Sequence, residues 1–118
     1  MSNPLAQIPD NQLTNELWNK AKQQAEKEKE WQIKEHSRLI VLSELTNHFA
    51  NAGDSIAAAE RKARTSPEYK AFIEEMGEAR SELVLARAKT AALEHEIKLR
   101  INKSFRDRAE YQGGHLQT

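Results

Sequence analysis

Residues 67–108 read PEYKAFIEEMGEARSELVLARAKTAALEHEIKLRINKSFRDR. Within them Tyr69, Phe72, Met76, Ala79, Leu83, Ala86, Thr90, Leu93 and Ile97 follow one another at spacings of 3, 4, 3, 4, 3, 4, 3 and 4. Residues three and four apart share one face of a helix, so this stretch predicts a long helix with four unbroken heptads of small or apolar seam residues. Past Ile97 the strict register leads to Arg100 and Ser104, whereas the apolar stripe steps to Ile101 and Phe105. That step reads as a stutter that keeps Ile101 and Phe105 in the seam. Ile73, Val84, Leu85, Ala88, Ala91, Ala92 and Leu99 widen the apolar surface beyond what one partner helix covers. Gly77, inside this helix, costs about 1 kcal/mol against alanine. It is either a tolerated defect or room for a closely approaching helix.

The start of this helix is marked by Thr65-Ser66-Pro67-Glu68. Thr65 and Glu68 have capping-box spacing, and proline in the first turn forfeits no hydrogen bond. Upstream, Asp54 or Ser55 caps a short helix from Ile56 to about Arg64, and Gly53 suits the left-handed position after a helix end. A first long helix, from Asp10 or Thr14 to about Asn51, spans roughly 60 Å. Its apolar residues form two stretches, Leu13, Leu17, Trp18, Ala21 and Ala25, then Leu39, Ile40, Leu42, Leu45 and Phe49, around a charged centre at residues 26–30.

The fold predicted is all-α: an antiparallel helical hairpin of two long helices joined by a short third one, with coiled-coil packing. Folding at the short helix pairs Phe49 with Tyr69, Leu42 with Met76, Ala21 with Ile97, Leu17 with Ile101 and Leu13 with Phe105. Glu28 and Glu35 then lie near Arg87 and Leu83 as a polar layer. The expected organisation is a flexible N-terminal arm over 1–10, a single domain over 11–110 and a flexible C-terminal tail over 111–118. The wide stripe of the third helix adds the expectation of a homodimer, a four-helix bundle over part of its length.

Charged residues make up 31% of the 118, aromatics 6%, and 18 basic side chains balance 18 acidic ones. A neutral chain has no global field steering it toward nucleic acid or membrane. The absence of cysteine removes disulfides, thiolate metal sites and cysteine nucleophiles. The N-terminus lacks signal-peptide character, and the apolar run Leu39–Leu42 is far short of a membrane span. A cytoplasmic protein, in a bacterial host, is the expectation.

No catalytic or metal constellation emerges, and no cofactor or small-molecule substrate is implied. His36, His48, His95 and His115 lack metal-ligand spacing, and Glu74, Glu75, Glu78 and Glu82 read as a solvated face. Two basic clusters are the candidate binding residues for a partner or nucleic acid: Arg61, Lys62 and Arg64 on the short helix, and Lys98, Arg100, Lys103, Arg106 and Arg108 on the last turns of the third. Cations at a helix C-terminus also complement the helix dipole. Trp18 and Trp31 are candidate hot spots of the kind that anchor interfaces.

Ser66-Pro67-Glu68-Tyr69, Ala79-Arg80, Ala86-Arg87-Ala88, Leu93-Glu94, Ile97 and Ser104-Phe105-Arg106 resemble small coiled-coil accessory proteins encoded by bacteriophages and prophages, over residues 54–111. That resemblance implies a phage accessory factor, a class that includes helical inhibitors of host nucleases and defence complexes. The function expected is non-enzymatic binding of a protein partner. The alternative is nucleic-acid binding through the two basic clusters.

Overall fold

The computed structural model describes residues 3–116, and the side chains of 3–110. The chain is all-α, a helical hairpin with no strand among the described residues. A 3-10 helix at Pro4–Gln7 precedes α1 (Asp10–Asn51), α2 (Ile56–Thr65) and α3 (Pro67–Leu116). Among the described residues no helix is long and apolar enough to cross a membrane.

The chain makes two compact units: residues 24–85, and residues 1–23 with 86–118. α1 and α3 each give one segment to both.

In the unit of residues 24–85, α1 ends where Gly53 takes φ +109°. Asp54 N–H donates to Phe49 O and Gly53 N–H to Ala50 O, the pair of bonds that closes a Schellman motif. The Ser55 hydroxyl accepts from Ala58 N–H, and Lys62 Nζ reaches both Asp54 oxygens at 2.9 and 3.0 Å. The next boundary differs from the capping box read at Thr65. Ser66 holds it: its buried Oγ donates to Ala63 O at 2.7 Å and accepts from Tyr69 N–H at 3.2 Å. Thr65 Oγ1 instead donates back to Arg61 O. Ser66 thus closes α2 and opens α3 with one hydroxyl, which requires it to sit buried between the two ends.

The heptad stripe of α3 points inward throughout this unit, with Met76, Ala79 and Leu83 buried and Tyr69 and Phe72 half-buried. Facing it, α1 presents Gln24, Lys27, Trp31 and Lys34, then Val41, Leu42, Leu45 and Phe49, all half-buried; Leu39 and Ile40 are exposed. The pairing register is not the expected one. Lys34 Nζ lies 2.7 Å from Glu75 Oε2 and Lys27 Nζ 3.0 Å from Glu82 Oε2. That alignment sets Phe49 opposite α2, where the expected one set it opposite Tyr69. The reason is α2: it folds back along α1, with Glu60 and Arg64 beside Leu42 and Thr46, and buries Ala59 and Ala63 completely. Those two small residues let α2 occupy the length of α1 that had been assigned to the start of α3.

In the other unit Leu13, Thr90, Leu93 and Glu96 are buried, and Leu17, Lys20, Ile97 and Arg100 half-buried. Ala21, expected in the seam against Ile97, is exposed. The stutter after Ile97 does not occur. Arg100 keeps the strict register, while Ile101 and Phe105 stand 49% and 62% exposed. Residues 3–10 are built into this unit. Asn3 caps the 3-10 helix, Leu5 and Ile8 are half-buried, and Arg100 Nη2 donates to Leu5 O at 2.9 Å. α3 continues to Leu116, through the start of the expected tail; residues 117 and 118 and the side chains of 111–116 lie outside the described residues.

Candidate functional site

The last described turns of α3 form the most distinctive surface of the unit that contains them. Arg100 marks where it begins. Its Nη1 lies 2.6 Å from Asp10 Oδ1 and its Nε 3.0 Å from Glu96 Oε1. With Leu5 O, three acceptors converge on one guanidinium. The hydrogen bonds it donates to Asp10 and then to Glu96 raise its pKa above the ordinary arginine value. Arg100 is therefore engaged within the unit, where the sequence had grouped it with four partner-seeking cations.

Asp10 is the first residue of α1, and beyond Arg100 every side chain of 101–110 is exposed. Helix periodicity sorts them. Lys98, Ile101, Phe105 and Arg108, spaced 3, 4 and 3, form one stripe with an apolar middle and a cation at each end. Leu99, Lys103 and Arg106, spaced 4 and 3, form a second. Between α3 and residues 6–10 runs an open groove of about 920 Å³, edged by Leu99, Lys103, Ser104, Asp107 and Arg108. Asp107 is the one acidic residue in 98–108, so the exposed surface is basic with an apolar centre. Such a surface suits an acidic, apolar-lined partner surface, or phosphates.

Sequence reading missed Ile101 and Phe105 as surface residues by placing them in the seam. The signal was present in Arg100, which stands in strict register three residues after Ile97.

The remaining candidates lie elsewhere. Lys62 is engaged by Asp54, while Arg61 and Arg64 are exposed on α2, in the other unit. The basic clusters thus belong to two separate units. Trp18 is exposed, with Lys22 Nζ 5.5 Å from its ring centroid. Trp31 is half-buried, with the Arg80 guanidinium 5.4 Å from its centroid. His36 is exposed with Nδ1 2.8 Å from Gln32 O, and His48 meets Phe49 edge-on. His95 is exposed, and the side chain of His115 lies outside the described residues. Among the described residues no cluster of three or more metal-ligating side chains occurs.

Compared with protein-family models, with curated proteins and with solved structures, the chain matches none of them.

Proposed function

We propose that this chain is a non-enzymatic interaction protein that docks a protein partner through the last turns of α3. The observation that carries this reading is the exposure of Ile101 and Phe105 on a helix face bracketed by Lys98 and Arg108. Large apolar side chains exposed together and rimmed by charge mark interaction surfaces. The exposed cations Lys98, Lys103, Arg106 and Arg108 outnumber Asp107, which favours an acidic partner surface and fast, salt-sensitive association. Resemblance to phage accessory proteins adds the expectation that this partner is a host nuclease or defence complex.

Ile101→Ala and Phe105→Ala separate folding from binding. Both side chains are largely solvated, so unfolding free energy changes by less than about 0.5 kcal/mol. Partners retained from a bacterial lysate by the wild-type chain are lost by the double variant, since buried aromatic anchors typically carry about 2 kcal/mol or more at an interface. Nucleic acid is the rival, supported by the four clustered cations. Sub-micromolar DNA binding by the purified chain, its salt slope falling by nearly one per neutralised cation, would replace the protein-partner reading.

A further inference from the structure

In the unit of residues 24–85 the seam between α1 and α3 is closed on one flank and open on the other. Lys27–Glu82 and Lys34–Glu75, one heptad apart on both helices, close the first flank, and Lys34 Nζ also lies 5.6 Å from the Phe72 ring centroid. The second flank is an open groove of about 420 Å³ with Trp31, Ile73, Met76 and Gly77 along it, rimmed by Glu35, Arg38 and Arg80. Ile73 is 41% exposed and Val84, further along the same face of α3, 52%. A Cβ on Gly77 would meet nothing within 4 Å among the described residues. The chain bears the helix-weakening cost of a central glycine without using the space it opens.

We infer that this flank is a homodimer interface, in which α3 crosses α3 of a second copy antiparallel about a two-fold axis at Gly77. The charges around Gly77 select this occupant. In such a crossing, residues equidistant from Gly77 meet. Glu74, three before it, faces Arg80 of the second copy, three after it; the symmetry repeats the pair in reverse. Ile73 faces Ser81 and lies within reach of Val84 of the second copy. Removing the Cβ at the crossing point allows the helix axes to approach closely. A chain of zero net charge imposes no long-range repulsion between copies. This inference is independent of the partner surface at the end of α3, which belongs to the other unit.

Sedimentation equilibrium of the full chain at micromolar concentrations gives twice the 13.5 kDa chain mass. Gly77→Leu fills the space between the copies and shifts the chain toward monomer, with helical circular dichroism retained because the site is open within one copy. Glu74→Arg and Arg80→Glu, each alone, place like charges at both pairs and raise the dissociation constant about tenfold or more. Mixing the two variants restores association as a heterodimer, because every pair is then of opposite sign. A monomeric wild-type chain would overturn the inference. So would a dimer indifferent to Gly77→Leu, or failure of the mixed variants to associate better than either alone.

Discussion

Arg100 and Asp10 meet at 2.6 Å, tying the first residue of α1 to the point on α3 after which the side chains stand exposed. The same guanidinium holds Glu96, a buried carboxylate, and the carbonyl of Leu5. It joins the N-terminal residues, α1 and α3 within one unit. Arg100→Met keeps the apolar stem and removes every donor. Glu96 is then left buried without its cation, and residues 3–10 lose their tether. Amide exchange over residues 5–17 accelerates, which hydrogen-exchange mass spectrometry reads directly. Unchanged protection there would mean the contact is incidental.

Two leucines two residues apart on α3 separate the seam from the surface. Leu83 is fully buried and Leu85 is 55% exposed. Leu83→Ala lowers unfolding free energy by about 2–5 kcal/mol through lost burial and the cavity left behind. Leu85→Ala costs less than about 0.5 kcal/mol in a monomeric background. Denaturant melts of the two variants decide this, and equal costs would refute the seam assignment.

The α2–α3 boundary has a similar internal control. Ser66→Ala removes both the acceptor for Tyr69 N–H and the donor to Ala63 O, at a cost of about 1–2 kcal/mol. Thr65→Ala, which loses only a hydroxyl bonded back to its own helix, costs less than about 0.5 kcal/mol. A capping box at Thr65 would reverse the order in a thermal melt.

Lys27 gives a pH signature. Its pKa is raised above the ordinary 10.5, first by the hydrogen bond with Glu82 and then by the charge of Glu30. A pKa raised on folding contributes stability fully below the unfolded value and loses it as pH rises through the folded one. The stability difference between wild type and Lys27→Met is therefore flat from neutral pH to about pH 10 and shrinks above it. Denaturant titrations across that range measure it; a difference constant to pH 12 would show the ammonium contributes nothing.

Much of this architecture was legible in the residues. The 3–4 spacing named every inward position of α3 from Tyr69 to Leu93, because one face of a helix must be buried and the period allows one choice; buried Glu96 and half-buried Arg100 fell outside it. Gly53 and Ser55 marked their boundaries for equally local reasons: a positive φ and a free N–H. Three things were not local. The register depended on α2 lying along α1 with Ala59 and Ala63 inward, and a ten-residue helix of mixed composition does not announce which neighbour it packs on. The seam position of Arg100 depended on Asp10, Glu96 and Leu5 O arriving together, since a guanidinium enters a seam only where acceptors await it. The exposure of Ile101 and Phe105 followed from where α1 begins. Sequence by itself determined which residues of each helix share a face, where α1 stops and where α2 and α3 start, all being short-range properties of the backbone. Tertiary structure alone decided which stretches of those faces find a partner, because that depends on how far the opposing helix reaches.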